Sequence, residues 1–264
     1  VNVGPVPTAL SPQNPRIERV RELRTAAVRR ERGQFVIEGP TLLEEATRSG
    51  IAVAELYVTE AAARTHAGMI ATLETAGTPV FAVHDRSLAR MSDVETPSGL
   101  LAVAALPGGD LARLLARNGP VLLLAGVNDP GNAGTLLRSA EAFGAAGVLF
   151  GRGGADPWSP KVVRAAMGSI FRLPVATVTA EEALAAATAS GRPIVAAALE
   201  GELLAGASIP AHAILAIGHE RHGVAGFLPR WDRAVRIEQA SETESLNAAV
   251  AGSILLYTLA LRRK

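Results

Sequence analysis

The chain has 264 residues, 48% hydrophobic and 19% charged, with a formal net charge of +1. That length suits two compact domains, and the composition supplies sizeable cores and excludes a globally disordered chain. The lack of cysteine excludes disulfides, thiolate metal sites and chemistry through a cysteine nucleophile or a cysteine-held iron–sulfur cluster, and it suits a reducing cytoplasm.

Residues 1–15 carry four prolines and no charge, which reads as a disordered leader; a signal peptide needs a basic start and a continuous apolar run. Residues 16–32 predict a helix, with Ile17, Val20, Leu23 and Ala27 at near-helical spacing. Seven arginines (Arg16, Arg19, Arg21, Arg24, Arg29, Arg30 and Arg32) share it with three glutamates, making either a solvated face or a phosphate-contacting one. Because the net charge is so small, any affinity for nucleic acid must come from such local patches. A strand at Gln34–Ile37, a helix at Pro40–Arg48 and a strand at Glu55–Val58 follow. A helix at Glu60–Ala76 and strands at Pro79–Val83 and Gly99–Ala105 complete a small α/β domain over residues 16–105. Pro107-Gly108-Gly109 breaks the pattern and predicts a linker over 106–119.

From residue 120 to 264 the alternation resumes. Strands are expected at Val121–Ala125, Val148–Phe150, Val175–Val178, Ile194–Ala197, Ala213–Ile217 and Ala234–Ile237, with helices between several of them and a long last helix from about Glu244. Continuous apolar strands alternating with helices mean a mostly parallel sheet covered on both faces. The longest uncharged apolar run, Ala248–Leu261, falls short of the roughly 20 residues a membrane span needs, so it reads as a buried helix.

Three segments carry the chemistry. The first is a glycine-containing loop from Asn128 to Thr135, leading into a helix at Leu136–Phe143 that bears Arg138. Glycines between a strand and a helix let backbone approach a ligand, although an ordinary turn reads the same way. No Gly-Lys-Ser/Thr follows, which removes the phosphate-loop reading, and Gly151–Asp156 lacks the third glycine of a dinucleotide motif. The second segment, Ile217–Gly223, places Gly223 where a zinc HExxH motif needs its second histidine, and no third ligand is apparent, so no metal is expected. Glu220, between two glycines, can orient an arginine or hold a substrate hydroxyl, or it is a plain capping or surface carboxylate. The third segment runs from Ile237 to Asn247. Ser241 and Glu244 are spaced as a capping box, which puts Ser245, Leu246 and Asn247 in the first turn of the last helix. That helix continues apolar through Val250, Ile254, Tyr257 and Leu261, which suits packing on the sheet or on a partner subunit.

Taken together these segments resemble the SpoU branch of the SPOUT RNA methyltransferases. Its first motif looks like Asn132-Ala-Gly-Thr-Leu-Leu-Arg138, its second like Gly218-His-Glu220-Arg-His-Gly223 and its third like Glu244-Ser-Leu-Asn247. The stretches Pro160–Ser169 and Phe171–Pro174 are similar to the family too, and Gly33–Gly39 resembles the ribosomal-protein-like substrate-binding domain of its ribosomal-RNA members. The resemblance implies a two-part α/β protein: a trefoil-knot catalytic domain with a mostly parallel sheet over 120–264, preceded by the RNA-binding domain. It implies S-adenosylmethionine as cofactor, held largely through backbone by loops containing Leu199, Gly218, Ile237 and Leu246. It implies methylation of a ribose 2'-hydroxyl, on large-subunit ribosomal RNA ahead of transfer RNA, by a cytoplasmic homodimer with no metal and no membrane segment. The residues it marks as catalytic are Asn132, Arg138, Glu220, Ser245 and Asn247.

Within that implied site Arg138 activates the hydroxyl, yet a guanidinium stays protonated below a pH of about 12. Arg138 is therefore expected to fix phosphate and hydroxyl in line while another group takes the proton. The third motif departs from the family, reading Ile237-Glu238-Gln239 with Ser241 in place of Ile-Pro-Met and a glycine, which bears on cofactor affinity. Two rivals stand beside this reading. A methyltransferase of the nucleotide-binding fold would need an acidic residue after its second strand, where Gly151-Arg152 stands. A non-catalytic RNA-binding protein of the same fold would have no use for Asn132, Arg138, Glu220 and Asn247 together.

Overall fold

The computed structural model describes residues 9–240 and 246–262. The chain divides into two compact units, one of Val1–Pro107 with Trp158–Arg164, the other of Gly108–Pro157 with Ala165–Lys264.

The first unit opens with α1 (Pro15–Glu22) and α2 (Ala26–Arg32), where one continuous helix was expected. The break has a cause in Arg29, which is only 2% exposed: its Nη1 donates to the carbonyls of Leu23 (2.6 Å) and Arg24 (2.8 Å) just past the end of α1. Carbonyls that a continued helix would have satisfied are met by a side chain instead. Next come β1 (Gln34–Glu38), α3 (Pro40–Arg48), β2 (Val53–Val58), α4 (Glu60–Thr65), α5 (Ala67–Thr75), β3 (Val80–Ala82), α6 (Asp85–Met91) and β4 (Leu100–Ala105). The expected helix over Glu60–Ala76 is thus two helices that meet at His66, whose backbone leaves the helical region (φ −116°, ψ 28°). Helix α6 is unanticipated and buries Leu88 and Met91. The sheet order is β1-β4-β2-β3, antiparallel at β1/β4 and β4/β2 and parallel at β2/β3. Ile17, Val20 and Leu23 of the arginine-rich segment join Tyr57, Leu88 and Leu101 in its core. Leu10, assigned by sequence to the leader, bridges Val83 and donates its N–H to the Ala82 carbonyl at 2.8 Å, so ordered structure begins ahead of residue 16.

The second unit begins inside the span expected to be a linker. Helix α7 (Leu111–Leu115) is capped by Asp110, whose Oδ1 accepts from the Arg113 N–H at 2.9 Å, and it buries Leu114 in the core. The proline and glycines ahead of it hid a five-residue helix too short to show periodicity. Then follow β5 (Val121–Ala125), α8 (Pro130–Ala142), β6 (Gly147–Gly151), α9 (Pro160–Ala165), α10 (Ser169–Arg172), β7 (Val175–Val178), α11 (Ala180–Ser190), β8 (Ile194–Leu203), β9 (Ile214–Gly218), β10 (Arg233–Arg236) and α12 (Ala248–Arg262). All six strands are parallel, in the order β10-β8-β9-β5-β6-β7. Every residue of β5 is buried, and each such Val or Leu side chain contributes roughly 1.5–3 kcal/mol relative to an exposed one. Strand β8 outruns its expected end because it bulges: Ala196 pairs with Ala234 and Glu202 with Val235, so residues 197–201 leave the ladder.

Helix α12 packs on α8 and β9. Ser139 and Ser253 share a hydrogen bond of 2.7 Å across α8 and α12, and Gly252 permits the approach, since a Cβ there would stand 2.4 Å from Leu136 Cδ2. The helix starts at Ala248 rather than near Glu244, and Leu246 and Asn247 precede its first turn. Asn247 is the cap, its Oδ1 accepting from the N–H groups of Ala249 (2.8 Å) and Val250 (3.2 Å). Ser241 and Glu244, read as a capping box, lie outside the described residues.

Candidate active site

In the second unit β5 leads into a run of neighbours on one side and β9 returns on the other, so the strand order reverses between them. A crevice at the carboxyl ends of two such strands is where open parallel sheets bind ligands. Asn132 follows β5 and Glu220 follows β9, and they meet there: Asn132 Nδ2 donates to Glu220 Oε1 at 2.8 Å. Asn247, entering α12, donates from Nδ2 to Asn132 Oδ1 at 3.0 Å. Three residues drawn from three separate motifs thus form one hydrogen-bonded chain.

Local sequence explains each placement. The segment read as a loop from Asn128 is helical from Pro130, because Asp129 caps it (Oδ1 accepting from the Asn132 N–H at 2.7 Å) and proline presets the first turn. Asp129 was missed as a contributor, although Asp-Pro ahead of an amphipathic stretch is a helix-start signal. Gly134 serves packing rather than ligand approach, since a Cβ there would lie 2.3 Å from Ala165 Cβ. Glu220 sits on a hairpin in which His219 and Gly223 exchange backbone hydrogen bonds of 3.1 and 2.9 Å. Gly223 has φ 57° and ψ −159°, a region nearly reserved for glycine, and the chain returns so closely that a Cβ on Gly218 would fall 2.0 Å from the Gly223 carbonyl carbon. His219 Nδ1 accepts the Arg221 N–H at 2.9 Å, which leaves the ring proton on Nε2, and its ring lies against His222 with centroids 4.8 Å apart. No three His, Asp or Glu side chains among the described residues gather as a cation site, and no described helix is long and apolar enough to cross a membrane.

Arg138 is not in this hydrogen-bonded chain. It lies six residues beyond Asn132 on α8, about 9 Å along the axis and a third of a turn away, exposed and with no partner among the described residues. Ser245 lies outside the described residues. Leu199, Gly218 and Ile237 occupy the bulge of β8, the last residue of β9 and the residue after β10, which are the carboxyl ends of three adjacent strands. Leu199 is 62% exposed, an apolar side chain on a bulge that a flat apolar ligand can cover; Ile237 and Leu246 are half-buried. The residues therefore fit a nucleoside-bearing cofactor held by backbone and apolar contact.

The arginine-rich segment is largely consumed internally. Arg16 pairs with Glu55 and lies 4.3 Å over the Phe81 ring, Arg21 pairs with Glu18, and Arg32 pairs with Glu22. Arg24 donates to the carbonyls of Arg90 and Ser92, and Arg29 is buried. Of the seven, only Arg19 and Arg30 are exposed without a partner among the described residues. Neither a fully solvated face nor a continuous phosphate-contacting one describes it. Beneath it, Tyr57 donates to Glu55, and its hydroxyl is held well above the ordinary tyrosine range by burial, with the neighbouring carboxylate adding to the effect.

Comparison with known proteins places this geometry. The model of the SpoU rRNA methylase family matches residues 119–257, and that of an MRM3-like substrate-binding domain matches residues 14–102. The chain is 33% identical over 255 residues to the 23S rRNA (guanosine(2553)-2'-O)-methyltransferase RlmP of Bacillus subtilis, covering 94% of this chain and 97% of that one. Among solved structures it is similar to an AdoMet-bound rRNA methyltransferase from Sinorhizobium meliloti (TM-score 0.83, 27% identity, 96% of this chain and 97% of that one). It is also similar to the SpoU methyltransferase AviRb of Streptomyces viridochromogenes in complex with AdoMet (TM-score 0.82, 27% identity, 95% and 98%). The ordered motifs, the parallel sheet and the match over both units make this chain a member of the SpoU rRNA methylase family.

Proposed function

We propose that the protein methylates a ribose 2'-hydroxyl of large-subunit ribosomal RNA with S-adenosylmethionine as donor. The observation that carries this is the hydrogen-bonded group Asn132–Glu220–Asn247 at the switch point of a SpoU-family sheet. The cofactor, when bound, supplies an electrophilic methyl group on a sulfonium. The chain's own part is to hold it with the loops of Leu199, Gly218, Ile237 and Leu246, and to present the hydroxyl with Asn132, Arg138, Glu220, Ser245 and Asn247. Arg138, exposed and uncommitted, is suited to gripping an RNA phosphate with its planar fork. The unit built on residues 16–105 takes the RNA, and the unit built on 120–264 carries the chemistry. A cytoplasmic location would bring the enzyme to that substrate.

The test uses ribosomal and transfer RNA from cells lacking the gene, with labelled S-adenosylmethionine. Label should enter large-subunit RNA at one nucleotide that stops reverse transcription at low nucleotide concentration and resists alkaline cleavage. Label in transfer RNA, or on a base, would overturn the substrate or the ribose assignment respectively.

We further propose a homodimer through the catalytic unit. Val250, Tyr257 and Leu261 are 47%, 49% and 52% exposed and recur at helical spacing along one face of α12, an apolar stripe that suits a second copy. Light scattering at micromolar concentration should give twice the chain mass; a monomer would refute it.

A further inference from the structure

We infer that Glu220 is the group that takes the proton of the ribose hydroxyl. This rests on the ribose-methylation reading above and deepens it. The direction of the hydrogen-bonded chain is fixed from one end. The backbone N–H groups of Ala249 and Val250 can only donate, so Asn247 must turn Oδ1 to them and Nδ2 outward. Asn132 must then receive with Oδ1 and donate with Nδ2, and Glu220 Oε1 receives that donation at 2.8 Å. Every link points its hydrogen toward Glu220, so the carboxyl stands at the end of the chain as a pure acceptor.

Its second oxygen is left open. His219 Nδ1 lies 4.0 Å from Oε2, a spacing that reads as an ion pair. That nitrogen already accepts the Arg221 N–H, so it carries no hydrogen to share, and the two atoms face each other as acceptors. Among the described residues Oε2 therefore has no donor, and the side chain is about one-third exposed. An oriented carboxylate with one oxygen anchored and the other open at a strand-end crevice is the geometry of a general base. Arg138 cannot serve, because its guanidinium has no lone pair to offer at neutral pH.

The step balances. The hydroxyl O–H bond breaks and the proton ends on Glu220 Oε2. The pair left on oxygen becomes the bond to the incoming methyl carbon, whose former bonding pair remains on sulfur and cancels the sulfonium charge. Asn132 and Asn247 are positioning residues that hold the carboxylate and do not handle the proton.

Glu220→Gln separates these roles, because the glutamine Oε1 can still accept from Asn132 while the amide cannot hold a proton. Single-turnover transfer should fall by about 10²–10⁴-fold, with S-adenosylmethionine affinity by calorimetry and ribosomal-RNA affinity unchanged. Glu220→Asp should retain more activity than the glutamine variant. A glutamine variant within about ten-fold of the parent, still making a 2'-O-methyl product, would overturn the assignment. If the variant loses its fold or its cofactor binding, the parent protein decides: a normal solvent deuterium isotope effect in single turnover supports a proton in flight, and its absence overturns it. A parent enzyme that methylates a base instead sinks the ribose reading, an outcome distinct from either.

Discussion

Arg192 should act as a structural rivet of the catalytic unit, although nothing in its sequence neighbourhood announces it. It is 7% exposed at the turn between α11 and β8, and all five of its N–H groups are used. Nε and Nη2 donate to the Leu115 carbonyl (3.0 and 2.8 Å), Nη2 also to that of Arg117, and Nη1 to Gly119 (2.8 Å) and His212 (2.6 Å). One side chain thus ties the approach to β5 and the approach to β9 onto the start of β8. Summed at roughly 1.5–3 kcal/mol per charged hydrogen bond these would be worth about as much as a whole domain's stability, so most of the gain must offset the cost of burying the cation. That cost is visible in the guanidinium itself, which burial holds below its ordinary pKa. The net effect of Arg192→Met, which keeps the stem but strands four carbonyls, should be a loss of about 3–5 kcal/mol. Arg192→Lys, with three donors, should lose about half as much. Urea unfolding of the full chain, followed by the fluorescence of Trp231 in this unit with Trp158→Phe as background, reads the difference. A change below about 0.5 kcal/mol for the methionine variant would refute the rivet and class Arg192 with ordinary surface positions.

Three further outcomes follow from the same geometry. Arg138→Ala should leave cofactor binding by calorimetry intact while methyl transfer collapses, and Arg138→Lys should not restore it, because a point charge cannot reproduce a planar fork; full activity in the alanine variant would remove Arg138 from the mechanism. Gly252→Leu should push α12 off Leu136 and Ile217 and lower stability by about 1–3 kcal/mol; an unchanged melting temperature would mean the helices do not meet there. Arg19→Ala with Arg30→Ala should weaken ribosomal-RNA binding and flatten its salt dependence, whereas Arg29→Ala should cost stability of about 1–3 kcal/mol; the reverse pattern would show that the buried arginine, not the exposed pair, meets phosphate.

What the sequence made legible is what repeats or clusters. Apolar-rich runs such as Val121–Ala125 and Val175–Val178 are strands with those same bounds, and the ordered motifs led to Asn132, Glu220 and Asn247, which do meet. What stayed hidden depends on contacts distant in sequence. The split between α1 and α2 rests on where Arg29 turns, and periodicity cannot register a guanidinium folding back on carbonyls five and six residues earlier. Helices α6 and α7 are seven and five residues long, too short for a 3.6-residue period to assert itself. The last helix begins at Ala248 because the Asn247 side chain caps it, a competitor to the Ser241 spacing that sequence alone could not rank. Charge counting misled most: seven arginines look like a nucleic-acid surface until five of them find partners within the fold.

The grouping of Trp158–Arg164 with the amino-terminal unit bears on how this protein can be taken apart. Trp158 stacks on Phe35 with ring centroids 4.9 Å apart, and Arg164 reaches Asp93 at 3.6 Å, so this stretch is anchored among residues encoded far earlier in the chain. No single cut in the chain yields both halves whole. A fragment starting near residue 108 would carry an orphaned tryptophan and an unpaired arginine, and the complementary fragment would lack the partners of Phe35 and Asp93. Exchange of substrate domains between relatives by simple recombination at the junction should therefore give poorly folded chimeras. Grafting Trp158–Arg164 together with the amino-terminal part should repair them.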